Sequence, residues 1–356
     1  MSDTPTDAAV TPPPAVTPAD TARVEKEAAR RAEPGGLGRL LRSGGGQTLG
    51  LVLALALLAL VGVVTGGERF ASIDNVMTIL RLAAVIGVVS IGMTFVITGG
   101  GIDLSVGALV ALSSVWCTTL STQAMANDYH WIFIVTTALL VGAGAGLING
   151  LLVAYGGVVP FIATLAMMAS ARGLAEIISA RKTQIVSVPG FTDAFSRDIL
   201  GVSVLIWIFV IVAVIGWVVL NRTTFGRRTL AIGGNPEASR LAGINVRRHT
   251  VLLYVLVGLC CGIAAVMLVA RTTTGSATHG QLYELEAIAA VVIGGTLLSG
   301  GRGTIVGTVF GVLIFATLTN VFVLNNLSIS AQAFTKGLII VAAVLLQQRF
   351  ARRPGS

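Results

Sequence analysis

The chain has 356 residues, of which 54% are hydrophobic and only 11% charged, with 43 glycines and a net charge of +8. A mean hydropathy of +0.87 cannot be hidden inside one water-soluble core, which excludes a soluble enzyme, a nucleic-acid binder and a disordered protein. Lipid is therefore the solvent for most of the chain, and at about 20 residues per crossing the apolar part has room for roughly ten membrane helices.

Residues 1–46 form a separate compositional block with six of the ten prolines and no apolar periodicity. They read as a disordered cytoplasmic tail. No short apolar core of a secretory signal stands near the start. The membrane domain then runs over 47–350, and 351–356 is a second cytoplasmic tail. Within the membrane domain, crossings are expected near 48–65, 76–98, 104–122, 131–154, 161–179, 200–220, 249–270, 284–299, 304–323 and 334–348. Unpaired backbone groups are not tolerated in hydrocarbon, and lengths near twenty favour helices over strands. The expected fold class is therefore an all-α polytopic bundle in the cell membrane.

Charge placement orients it. Arg23, Lys26, Arg30, Arg31, Arg39 and Arg42 crowd the first tail. Arg222, Arg227, Arg228, Arg240, Arg247 and Arg248 crowd one connection, and Arg349, Arg352 and Arg353 the end. Positive segments stay on the cytoplasmic side. Ten crossings return both termini to that side, and six place the 221–248 connection there too, so parity and charge agree.

Small residues recur at four-residue spacing. Gly142, Gly146 and Gly150 form one such face, and Gly303, Gly307 and Gly311 another. Such faces let helix backbones approach within a subunit. A weak repeat pairs Gly100-Gly101 and Val106-Gly107 with Gly300-Gly301 and Val306-Gly307, and suggests two similarly oriented halves. Cys117, Cys260 and Cys261 lie in apolar runs and read as small buried hydrophobes. His130, His249 and His279 are isolated, near the ends of crossings. Arg172 and Glu176 are four apart and can pair on one helix face.

No catalytic constellation, phosphate loop or metal-ligand spacing is present, so neither cofactor nor metal is expected. Two segments carry information. In GGGIDLSVGALVAL, Gly99 to Leu112, glycines break a helix and Asp103 and Ser105 precede a new one. Asp103 is placed to cap that helix. A carboxyl near membrane depth is a candidate for function, although a purely structural cap explains it as well. In GGNPEASRLAGINVRR, Gly233 to Arg248, Asn235 suits the N-cap, Pro236 the first turn, Glu237 the positive helix end and Gly243 the stop. The residues between, Ala238, Ser239, Arg240, Leu241 and Ala242, complete a helix of about seven residues, too short to be stable alone. It must dock, either on its own bundle or on a partner.

These strings resemble the membrane permease subunit of ribose-type ABC sugar importers, in the branched-chain amino-acid/sugar permease superfamily. PFIATLAMM at Pro160 to Met168 and YELEAIAAVVIGGTLLSGGRGTIVGT at Tyr283 to Thr308 extend the likeness to roughly residues 48–350. The resemblance implies a permease dimer, whether of one chain or two. It implies an extracytoplasmic sugar-binding protein and a separate cytoplasmic ATPase subunit. It also implies that Asn235 to Gly243 is the helix coupling permease to ATPase. Asp103, Ser105, Asn149, Thr164 and Asn320 are the expected polar residues of a path for a neutral sugar. A stand-alone secondary transporter or channel is the alternative.

Overall fold

The structure, a computed structural model, describes residues 44–351. The expected N-terminal tail up to residue 43 and the last five residues lie outside it. Residues 48–351 form one compact unit.

Helix α1, Gly44–Gly66, is apolar without a break from Leu49 to Val64. Its outward leucines Leu53 and Leu57 stay exposed, as suits a helix solvated by lipid. A 3-10 turn, Gly67–Arg69, leads to Ser72, whose hydroxyl accepts the Asn75 amide and starts α2, Ile73–Thr98. No proline or glycine pair interrupts α2 until Gly99, and its side chains from Ala83 to Thr98 are all buried. The chain continues as α3 (Val106–Cys117), α4 (Leu120–Asp128), α5 (Ile132–Ala154) and α6 (Pro160–Ser179). After α6 a two-residue strand β1 (Gln184–Ile185) precedes α7 (Pro189–Ser196). Strands β2 (Asp198–Ile199) and β3 (Val202–Ser203) then lead into α8 (Val204–Arg222). Next come α9 (Thr224–Gly234), α10 (Pro236–Leu241) and α11 (Val246–Thr272), followed by β4 (Thr274–Gly275). The chain ends in α12 (Tyr283–Ile293), α13 (Ile305–Leu324) and α14 (Ile329–Ala351). The protein is an all-α membrane bundle.

Among the described residues, seven helices are long and apolar enough to cross a bilayer: α1, α2, α5, α6, α8, α11 and α13. The third and eighth expected crossings differ. Helix α3 has 12 residues and α12 has 11. At 1.5 Å per residue they reach about 18 and about 16.5 Å, little more than half of a hydrocarbon core. The apolar letters of 104–122 and 284–299 do continue, but a Thr118–Thr119 break stops α3 and Gly294-Gly295 stops α12. Residues 120–128 form the separate, more polar α4.

Helices α2, α11 and α13 carry the buried core. The glycine faces pack as expected. A Cβ on Gly142 would overlap the Gly258 carbonyl, and one on Gly146 the Tyr254 carbonyl, so α5 and α11 meet backbone to backbone. Gly307 sits equally close to Gly294, and Gly311 to Ala290, which seats α12 on α13. The three cysteines are free and buried.

A small cap, absent from the expectations, is built from α4, α7 and the antiparallel ladder of β1 with β4, while β2 and β3 form a second ladder just before α8. Gln123 stitches the cap, donating to the Ile185 carbonyl at 3.0 Å and accepting the Ser187 amide at 2.7 Å. Phe191 is fully buried there, with Phe195 4.9 Å away between ring centres.

Candidate functional site

Two places gather the residues singled out above. The first is the break between α2 and α3. The left-handed backbone at Gly100, φ 85°, turns the chain sharply. Asp103 then folds its carboxyl back, and Oδ1 accepts the Ser105 amide at 2.8 Å and the Ser105 hydroxyl at 2.6 Å. This is a local Asx turn ahead of the helix. The cap position belongs to Ser105, one correction to the expected role of Asp103. Asn149 reaches over from α5 and donates Nδ2 to Ser105 Oγ at 2.9 Å. Thr164 on α6 donates to the Pro160 carbonyl at 2.9 Å and touches the Ile102 carbonyl. Tyr254 on α11 donates to that same carbonyl at 3.3 Å.

Asp103, Ser105, Asn149 and Thr164 are therefore neighbours, all fully buried. Sequence spacing did not single out Tyr254, because an aromatic residue in an apolar run carries no polar signal of its own. Asn320 stands apart. It exchanges amide hydrogen bonds with Asn75 at 2.7 and 3.1 Å, and Asn75 also donates to the Phe70 carbonyl.

Arg172 does not pair with Glu176. It donates to the backbone carbonyls of Ala277 and His279, while Glu176 takes Arg181 at 2.9 Å. The long guanidinium reaches the fixed carbonyls of the segment between α11 and α12, and the exposed Arg181 reaches back over the helix end. Lys336 of α14 pairs with Glu286 of α12 at 2.6 Å, both largely buried. Of the histidines, His249 is buried and shares a 2.8 Å hydrogen bond with Thr229. His279 meets Ser114 Oγ at 3.2 Å.

The second place is the connection between α8 and α11. Asn235 Oδ1 accepts the Ala238 amide at 2.9 Å, and Pro236 opens the first turn of α10. Ser239 is buried and bonds back to the Asn235 carbonyl at 2.9 Å. Gly243, φ 82°, closes the helix with its amide on the Arg240 carbonyl, and Ile244 donates to Ser239. That is a Schellman stop. Glu237 and Arg240 form a 2.6 Å pair on the open face, and Arg240 holds the Glu237 carboxyl below its usual range. Leu241 is 76% exposed. A helix locked at both ends thus presents an exposed leucine beside a charge pair. Ala238 and Ala242 lie on the same short element.

Three glycine segments join the two places. Gly301 donates its amide to the Thr98 carbonyl at 2.9 Å. A Cβ on Gly233 would overlap that carbonyl, and one on Gly300 would lie 2.9 Å from the Gly100 Cα. The segment preceding α10 therefore rests directly on both helix breaks, at 98–101 and 300–303. The weak repeat found in the sequence brings its two glycine pairs into mutual contact. The likeness stops there, because the first break follows a long helix and precedes a short one, and the second does the reverse.

Comparison with known proteins places this architecture. The family described as the branched-chain amino acid transport system permease component matches residues 75–344. The ribose import permease protein RbsC of Bacillus subtilis strain 168 is 42% identical over 306 residues, covering 85% of this chain and 93% of that protein. RbsC of Escherichia coli K12 is 38% identical over 300 residues, 83% of this chain and 92% of its own. The L-arabinose transport system permease protein AraH of Escherichia coli K12 is 37% identical over 288 residues, 79% and 84% of the two chains. No solved structure matches. Matched over more than half its length and closely related to these permeases, the chain belongs to the branched-chain amino acid transport system permease family, in its ribose-type sugar-importer branch.

Proposed function

We propose that this protein is the membrane subunit of an ABC importer that admits a pentose or similar monosaccharide by alternating access. A separate cytoplasmic ATPase drives it, and an extracytoplasmic binding protein supplies the sugar. The observation that carries the reading is the capped helix α10, which holds an exposed leucine and a charge pair on one side and leans through Gly233 on both helix breaks. A rigid knob of this kind converts closure of a partner into tilting of the helices behind it. In this reading Asn235, Pro236, Glu237, Ala238, Ser239, Arg240, Leu241, Ala242 and Gly243 form the coupling element, on the cytoplasmic side with both termini. Helices α3, α12 and α14 complete ten membrane segments, α3 and α12 as partial crossings. The hydrolysis of ATP belongs to the partner, and the permease functions as a dimer.

The sugar path runs by the α2–α3 break, lined by Asp103, Ser105, Asn149 and Thr164. Asn320 supports it by fixing α2 to α13. Hydroxyl and amide groups there suit a neutral polyol. The test is reconstitution of the chain with its ATPase and binding protein. Glu237→Arg reverses the charge facing the partner and is expected to abolish uptake without changing membrane insertion. Normal uptake by that variant at normal expression defeats the reading. Uptake by the chain alone, without any ATPase, establishes the stand-alone carrier instead.

A further inference from the structure

The cluster at the α2–α3 break has a hydrogen-bond ledger that does not balance. Asn149 Nδ2 donates to Ser105 Oγ, and Ser105 donates its hydroxyl and its amide to Asp103 Oδ1. Two acceptors are left over. Asp103 Oδ2 and Asn149 Oδ1 are buried and have no hydrogen-bond partner among the described residues. Both side chains meet at the Ser105 hydroxyl. An ionised carboxyl only accepts, so both oxygens would stay unsatisfied.

Among the described residues, the side chains that act on the Asp103 carboxyl are Ser105 and Asn149, and neither is a cation. The titratable groups of α11 that feel Asp103 are Tyr254 and Cys261, both neutral side chains, and the Tyr254 hydroxyl is already given to the Ile102 carbonyl. From α6, Thr164 donates to its own helix and Arg172 turns to the carbonyls of Ala277 and His279. From α12, Glu284 stands against Gly107, one turn beyond the cluster, and is itself acidic. A buried negative charge with no counter-charge is far costlier than a neutral acid. Turning the Asn149 amide over would supply a donor but would leave that charge uncompensated.

We propose that the Asp103 carboxyl carries a proton on Oδ2 and donates it to Asn149 Oδ1. That single hydrogen closes a ring through Asp103, Ser105 and Asn149 and ties the α2–α3 break to α5. The break is then a neutral latch, with no fixed charge at membrane depth. The inference concerns the proton alone and stands whether or not a sugar meets these residues.

Infrared spectroscopy of the full chain, purified with its ATPase partner at neutral pH, tests it. Wild type is expected to show a carboxylic-acid C=O band that shifts in heavy water and is missing from Asp103→Asn. If Asp103→Asn instead removes a carboxylate band and leaves the acid region unchanged, the proposal is overturned. Should that variant fail to accumulate, Asn149→Ala keeps the carboxyl and removes its acceptor. The acid band is then expected to move, and an acid region identical to wild type refutes the latch.

Discussion

Asn75 and Asn320 exchange two hydrogen bonds between α2 and α13. Removing one partner strands the other amide in a buried site. Asn320→Ala is expected to destabilise the purified protein by between about 0.6 kcal/mol, the mean for hydrogen bonds inside membrane proteins, and about 3 kcal/mol for a stranded buried polar group. The double variant Asn75→Ala/Asn320→Ala should lose less than the sum of the two single changes. Strict additivity in thermal unfolding would show that the pair is not energetically coupled. His279 supplies a pH dependence. Burial, reinforced by Arg271 and Arg172, depresses its imidazole to about 4. The unfolded value is near 6.5. Above that the ring is neutral in both states and costs nothing. As pH falls from about 6.5 toward 4 the unfolded chain takes a proton that the folded one refuses, and stability drops. Thermal melts of His279→Gln, compared with wild type across that window, should show a shallower fall. Equal slopes would remove the assignment. At this scale the sequence was partly readable. Asp103, Ser105, Asn149 and Thr164 stood out as polar letters in apolar runs, and they do converge. The partners of Asn320 and Arg172 could not be read, because each reaches a residue far along the chain whose proximity is set by packing.

Helix α5 carries a pair of glycines that separates packing from propensity. Gly144 has open space around its Cα, whereas a Cβ on Gly146 would overlap the Tyr254 carbonyl of α11. Gly144→Ala should leave stability within about 1 kcal/mol of wild type, toward stabilisation, because alanine favours a helix. Gly146→Ala has to push two backbones apart and is expected to cost on the order of 1–3 kcal/mol. Equal melting temperatures for the two variants would show that the helices do not touch there. Elements of this sort were visible in the sequence because the four-residue glycine spacing is itself a helix-face signature. The two half-length helices were not. The apolar run of 104–122 looks continuous in composition, yet Thr119 accepts the Thr122 amide and opens a new helix at Leu120. A cap that uses a threonine costs no hydropathy, so a window of apolar letters passes over it. The two short ladders were equally hidden, since two-residue strands carry no periodicity.

In the proposed mechanism the molecule carries force from an exposed six-residue helix to two breaks inside the bundle. The glycine junction is the direct contact between that helix's segment and the breaks. Gly233 lies against the Thr98 carbonyl, which is already bonded to the Gly301 amide, and its neighbour Gly234 faces open space. A methyl group at Gly233 therefore wedges the coupling segment off both breaks, while one at Gly234 touches nothing. Backbone contacts of this kind cannot flex as a long side chain would, so displacement is shared by all three segments. In the reconstituted importer, Gly233→Ala is expected to retain its ATPase partner and the partner's hydrolysis. Sugar uptake per ATP should fall about tenfold or more, the equivalent of ~1.4 kcal/mol of lost bias between the two access states. Gly234→Ala should transport as wild type does. If both variants transport normally, the junction bears no load and motion reaches the breaks by another route, such as α11 directly. If Gly233→Ala loses the ATPase altogether, the residue shapes the docking face and the transmission argument fails. Only a split between intact hydrolysis and lost uptake supports a mechanical link through these glycines.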